Sequence, residues 1–423
     1  MDNPDNQPRA LDRRVIIKLS IVFAFIYFFS TNGLASLPGI TVSFLLKDVL
    51  KMTATAASYF GAVTIFGWAI KPLWGIISDT LPIFGYRRKS YLILTAILAA
   101  IIWFYLGQVE NYTIRLLLIF FTLSSFAYAF MDVICDALMV EKGKPHNLTG
   151  RFQSVQWTSV YIASIISALA GGWVAENLKP QTVFSINGVF PLIILGSILL
   201  FIKEERLVEP RSERLRKSWG ALKQVFLQPT FWLLGFFLFF WTFSPSFGTP
   251  FFYYSVDTLK FDPFFLGIVG AVASATAALG AILYSRSYEK INTRSLVRLM
   301  ILVGIFATLF DFVYFLPAVV ENPMLARVIY MGSAGILGII GAITFLVMMN
   351  SAALAVPQYG EGTAFALLAS FWNIGLMSSA AIGGYLFSKI GLQPLILVSA
   401  VFTAAAWFIL PFMKFADESR ATN

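Results

Sequence analysis

Charge and reactive side chains are scarce in this chain. Of 423 residues, 13% are Asp, Glu, Lys or Arg, about half the ~25% of an ordinary soluble domain. There is one cysteine, Cys135, and one histidine, His146. A lone cysteine excludes a disulfide framework, a CxxC redox pair and a cysteine-rich zinc site. A lone histidine excludes HExxH metalloprotease chemistry and a His-rich metal centre. No GxxxxGK[ST] loop occurs, so ATP is not expected to drive the protein directly. No Ser-His-Asp arrangement on a recognisable scaffold and no cofactor ligand set is visible, so no cofactor, no metal and no catalytic residue is expected.

What the chain has instead is apolar length. It is 58% hydrophobic with a mean hydropathy of +0.76, enough for about twelve spans of ~20 residues. Soluble folds are excluded, and an all-α polytopic membrane protein in a lipid bilayer is predicted. The 42 Phe and 10 Trp suit lipid-facing surfaces and interfacial belts. Residues 1–18 are polar and carry acids, unlike a transit peptide, and the first apolar run is too long for a signal peptide. That run is therefore counted as a span.

Hydropathy places spans near 19–45, 54–80, 90–108, 113–140, 152–177, 182–202, 230–256, 263–286, 295–319, 324–352, 363–388 and 393–414. The longest polar stretch, 203–229, divides them six and six. The expected organisation is thus an N-terminal segment 1–18, a half 19–202, a central loop 203–229, a half 230–414 and a tail 415–423. If residues 1–18 lie in the cytoplasm, the inside segments carry 23 Lys and Arg and the outside segments seven, with Lys71 left within a span. That bias predicts cytoplasmic termini and a cytoplasmic central loop. It also accounts for the net charge of +9 without a nucleic-acid partner.

An internal repeat supports the division. Gly171-Gly172-Trp173 recurs as Gly383-Gly384-Tyr385, and Gly150 recurs as Gly362, both at an offset of 212 residues. Duplicated halves are a transporter device, with the site at their interface.

The informative residues are the polar ones inside apolar spans, because burying them is costly. Gly75 and Asp79 form a GxxxD at the inner end of the second span, followed by Arg87-Arg88-Lys89. Gly75 permits close helix packing. Asp79 suits the N–H groups of a neighbouring helix N-terminus and can pair with Arg87 or Arg88. Such a group would latch the two halves together on the cytoplasmic side, whereas a purely topogenic loop would need only the three basic residues. Asp132 and Asp136 share one face of the fourth span. Carboxylates so close repel each other's charge, which makes a plausible proton site. Lys71, eight residues before Asp79, lies well inside the membrane. It either neutralises Asp132 or Asp136 or attracts an anionic substrate.

This pattern resembles the second-to-third loop signature of the major facilitator superfamily, with one departure: Gly85 comes six residues after Asp79 rather than three. In the form GxxSDxxPIxGYRR it is similar to the folate–biopterin transporter family. Asp132-Val133-Ile134-Cys135-Asp136-Ala137-Leu138, Gly150-Arg151-Phe152-Gln153-Ser154-Val155-Gln156-Trp157 and Pro245-Ser246-Phe247-Gly248-Thr249-Pro250 also resemble that family. The resemblance implies twelve transmembrane helices in two pseudo-symmetric halves. It also implies secondary transport of folates or related pterins, usually proton-coupled.

On that basis further residues gain candidate roles. A carboxylate at Asp132 or Asp136 suits the donor pair of a pterin ring, and Lys71 suits the glutamate carboxylates of a folate. Gln153, Gln156 and Trp157 open the fifth span, where Gln can donate and accept to a pterin edge or simply anchor the interface. Trp241 and Phe247 flank a proline-broken stretch of the seventh span and could stack on a flat ring. The expected protein is a monomer in the plasma (inner) membrane, moving a small molecule with protons. A major facilitator of another solute, such as a drug, sugar or peptide, is the alternative. A membrane-embedded enzyme or a receptor is a remoter one.

Overall fold

The computed structural model describes residues 12–206, 226–287, 293–355 and 361–412, together with 220 and 223. Most of 1–18, much of 203–229 and the tail 415–423 therefore lie outside the described residues. The described chain is a bundle of helices. Ten of them are long and apolar enough to cross a membrane. The third to sixth spans are single helices: Lys89–Gln108, Ile114–Gly143, Thr149–Asn177 and Pro180–Phe201. So are the eighth, Pro263–Ser287, and the tenth to twelfth, Pro323–Ala355, Glu361–Ile390 and Leu392–Ile409. The first and ninth spans continue past their main helices, Arg13–Phe29 and Thr293–Phe310, as shorter turns. The remaining two of the twelve expected segments are broken helices.

The second span is Ala54–Thr64, Phe66–Ala69 and Lys71–Thr80. Pro72 explains the lower break: it lacks an N–H and its ring crowds the preceding turn. The Gly67 carbonyl near this break accepts from Trp74 Nε1 at 2.9 Å. The seventh span is Pro229–Thr242 and Gly248–Asp257. Broken backbone at membrane depth must find partners on neighbours, and here it does. Ser246 N donates to Ser379 O at 3.0 Å, and Ser379 Oγ donates to Ser244 O. Ser244 Oγ meets Ser399 at 2.9–3.0 Å, and Thr242 Oγ1 donates to Trp372 O at 3.0 Å. The eleventh and twelfth spans thus hold the gap open.

The two glycine pairs show that the halves repeat in three dimensions. Gly171 abuts Leu37 in the irregular stretch of the first span, and Gly383 abuts Ser246 in the break of the seventh. Their neighbours reach across the halves. A Cβ on Gly172 would stand 2.8 Å from Gly267 Cα, and one on Gly384 would stand 2.6 Å from Ser58 Cβ and 3.2 Å from Thr55 O. Thr55 and Gly267 are themselves 212 residues apart. The fifth span therefore packs on the eighth as the eleventh packs on the second, with glycine permitting the close approach.

Each half keeps its own apolar core. In the first it centres on Phe23, Tyr128, Phe152 and Phe184. In the second, Phe237, Leu238 and Val347 form one cluster and Phe251, Phe261 and Tyr314 another.

Candidate functional site

The break at Ile70 turns Lys71 into the first residue of a new helix, aimed at the fourth span. Its Nζ lies 2.6 Å from Asp132 Oδ2, and the two side chains are only 14% and 9% exposed. The ammonium also stands 4.8 Å from the ring centroid of Trp68, a favourable cation–π placement. One turn along the fourth span, Asp136 Oδ1 accepts from Tyr27 Oη at 2.6 Å. Gln156, buried on the fifth span, donates to Cys135 Sγ at 3.8 Å. Lys71, Asp132, Asp136 and Gln156 thus gather around the fourth span, deep in the bundle. One cation faces two carboxylates there.

The remaining sequence-derived candidates lie elsewhere. Gln153 is exposed. Trp157 packs across the halves on Phe345, with ring centroids 5.4 Å apart. Trp241 packs against the core of the second half and Phe247 against its Phe251 cluster. From the seventh span, the side chains that line a cavity are instead Thr249, Phe252 and Tyr253.

That cavity, about 570 Å³, adjoins the central cluster on the side away from the Arg87-Arg88-Lys89 end. Trp68 forms part of its wall, so one ring separates the cavity from Lys71. Tyr27 and Trp68 were not singled out from the sequence. A phenol within the apolar first span and an indole three residues before Lys71 were the available signals.

At the basic end, Arg88 Nη2 lies 2.7 Å from Asp79 Oδ1 and 2.5 Å from Glu141 Oε1, and Arg88 Nη1 donates to Ser78 Oγ at 2.8 Å. Arg87 Nη2 reaches the same Glu141 oxygen at 2.7 Å. The pairing expected of Asp79 is present, but the helix N-terminus goes to another acid. Glu204 accepts from the backbone N–H of Arg87, Arg88 and Lys89 at 2.8, 3.0 and 2.6 Å. It sits where an anion is best placed, at the start of the third span. These partners lie in the first half or, for Glu204, at the start of the central loop, and among the described residues the cluster makes no ion pair to the second half. Gly75 is not tightly packed either: a Cβ there would meet Val133 Cγ1 at 3.8 Å, an ordinary contact.

The halves are fastened at the opposite end. Lys47 Nζ lies 2.5 Å from Asp257 Oδ1 of the seventh span and 3.0 Å from Asp48 Oδ1. Tyr253 Oη donates to Met52 O at 2.9 Å, and Phe44 meets Phe252 edge-on at 5.5 Å.

Known proteins place this arrangement. Among solved structures, the D-xylose–proton symporter superposes with a TM-score of 0.71 at 12% identity, covering 94% of this chain and 98% of that one. The nucleoside transporter NupG gives a TM-score of 0.68 at 13% identity over the same shares. At such identities the likeness is one of fold, that of the major facilitator transporters. A folate-biopterin transporter of Synechocystis sp. is 32% identical over 375 residues, 86% of this chain and 74% of the relative. A probable folate-biopterin transporter of Arabidopsis thaliana is 26% identical over 87% of this chain and 88% of its own. The sequence profile of the BT1 family matches residues 32–414. The chain belongs to the BT1 family and is a multi-pass membrane transporter, not an enzyme.

Proposed function

We propose that the protein is a secondary transporter of folates or related pterins, working by alternating access and coupled to protons. One observation carries the proposal: a buried lysine paired with one of two neighbouring carboxylates, beside a cavity between two repeated halves. The names of its Synechocystis and Arabidopsis relatives support the substrate class.

The charge count suggests how coupling works. Lys71 neutralises Asp132, which leaves Asp136 with a phenol and, among the described residues, no cation at hydrogen-bonding distance. An unpaired charge at that depth is costly, so Asp136 is the group that carries the proton. Tyr27 holds its orientation in either state, because a phenol can donate to a carboxylate or accept from a carboxylic acid. Release of the proton restores two carboxylates competing for Lys71, which favours rearrangement of the second span at its Pro72 break.

Gating is assigned to both ends. The cluster of Asp79, Arg87 and Arg88 anchors the Lys71–Thr80 helix, which packs on the eleventh span. The Lys47–Asp257 pair and the Tyr253–Met52 hydrogen bond close the other end. Both termini face the cytoplasm of a plasma (inner) membrane, and the unit is a monomer with halves 19–202 and 230–414.

The test is uptake of labelled biopterin and folate into vesicles of purified protein, with and without a pH gradient. Wild type should accumulate substrate with the gradient. Asp136→Asn should lose accumulation and keep exchange of internal for external substrate. Equal wild-type uptake with and without the gradient would reject proton coupling.

A further inference from the structure

The cavity differs in chemistry from the charged cluster beneath it. Among the described residues, its lining includes no carboxylate, ammonium, guanidinium or imidazole. Six of its residues are aromatic, and part of the wall is continuous: Phe121 meets Phe60 at 6.0 Å and Trp103 at 5.4 Å between centroids. Seven more are serines or threonines. Two of these hydroxyls, Thr31 Oγ1 and Ser125 Oγ, are buried without any hydrogen-bond partner. Buried polar atoms nearly always have partners, so unmet ones in residues of a cavity wall, with almost no surface of their own open to it, point to a ligand that they meet by a turn of χ1.

A volume of about 570 Å³ falls within the ~300–1,000 Å³ of small-molecule sites. Two cations stand against the wall, and each is already taken. Lys71, 4.8 Å from the Trp68 ring, is paired with Asp132. Lys47, 5.7 Å from the Tyr253 ring, is paired with Asp48 and Asp257. A carboxylate entering this space would lose its water and find no free cation on its wall among the described residues, a costly outcome.

We propose that this cavity is a neutral-ring subsite. It holds an uncharged, flat heteroaromatic ligand between its aromatic walls, reads its edge with Thr31 and Ser125, and rejects the same ring when it carries carboxylates. The inference rests on the pterin transport proposed above and sharpens it: the preferred substrate is a pterin with a short uncharged side chain rather than a folate with its glutamate.

Equilibrium binding to the purified full-length protein in lipid nanodiscs tests this. The probes are labelled biopterin, folate and the dimethyl ester of folate, which keeps the bulk and removes the charge. Biopterin should bind at least about tenfold more tightly than folate, and the ester should recover most of the difference. Gly61 lines the cavity, and a Cβ there meets nothing within 4 Å. Gly61→Phe should therefore fold normally, fill the space and weaken biopterin binding about tenfold or more. Ser125→Ala, a far smaller change, should weaken it by about three- to tenfold.

Folate binding as tight as biopterin, an ester as weak as folate, or a well-folded Gly61→Phe that binds normally would each overturn the neutral subsite and leave pterin transport standing. Binding of none of the three probes would overturn pterin transport itself, and the subsite with it.

Discussion

Two charged clusters sit on the same half of this protein and are built differently. At the basic end, the Arg87 and Arg88 guanidiniums meet Asp79 and Glu141, two charges of each sign, while Glu204 takes three backbone N–H groups and the Lys89 ammonium donates to Ile202 O. In the middle of the bundle, Lys71 faces Asp132 and Asp136, one against two. A balanced set can satisfy itself and stay in one arrangement. An unbalanced set has a surplus carboxylate that must bind a proton, find a cation or move. Charge balance, more than burial, separates the basic-end cluster from the central one, to which the proposed proton coupling is assigned.

The largest effect should come from unbalancing the centre further. Lys71→Gln leaves Asp132 without its cation, and breaking a buried pair from one side costs about 3–5 kcal/mol. The expected result is a poorly folded protein by thermal unfolding in detergent, with transport lost. Lys71→Gln combined with Asp132→Asn should regain much of the stability; no recovery would mean that the two charges do not depend on each other.

Asp136→Asn should come next. It mimics the protonated state, so stability should hold or rise while gradient-driven uptake disappears. If the same variant destabilises the fold as much as Lys71→Gln, the surplus carboxylate is structural.

At the basic end, Arg88→Ala should cost about 2–4 kcal/mol, because Asp79 and Glu141 then lose a shared, buried partner. Glu204→Gln should cost only about 1 kcal/mol, since an amide oxygen can still accept from the helix N-terminus. Comparable losses from both would contradict the geometry.

The smallest change in stability is expected at the Lys47–Asp257 clamp, where the Asp257 side chain is 60% exposed. Asp257→Asn should alter stability by no more than about 1 kcal/mol. If the clamp gates the cavity, a cysteine at Ser43, on the cavity wall, should react faster with a water-soluble thiol reagent once Asp257 is changed. Cys135→Ser should be the background. Orientation can be read in the same way. Lys142→Cys should label only from the cytoplasm, and Glu110→Cys only from the other side.

Much of the bundle was legible before any coordinates. Span positions follow from hydropathy because a helix in lipid must satisfy its own backbone. Pro245 marked the break of the seventh span, since proline disrupts a helix wherever the helix lies; Pro72 carries the same signal in the second span, which was read as one unbroken segment. The glycine pairs 212 residues apart announced a repeat that the packing of Gly172 on Gly267 and Gly384 on Ser58 makes explicit. The pairing of Lys71 with Asp132 was one of two open alternatives, because an intramembrane charge needs a partner within reach.

Partner choice was not legible. Nothing local in Glu204 says that it will cap a helix beginning 115 residues earlier in the chain. Asp79 looked equally able to take that place. Trp241 and Phe247 flank a real break, yet which of their faces meets the cavity depended on how the seventh span rests on its neighbours. The cavity wall consequently fell to other aromatics.

Composition and periodicity alone determined that this chain crosses a membrane many times in two repeated halves, and where its rare buried charges lie. Those properties depend on transfer from water to lipid, which each segment experiences by itself. Tertiary structure decided that Tyr27 serves Asp136 across 109 residues, and that Tyr253 closes on Met52 across 201. It also decided that Trp68 stands between a charged cluster and an uncharged cavity. Each of these is a side-chain meeting between separate helices, set by the rotation and depth at which the helices pack, and no single segment carries that information.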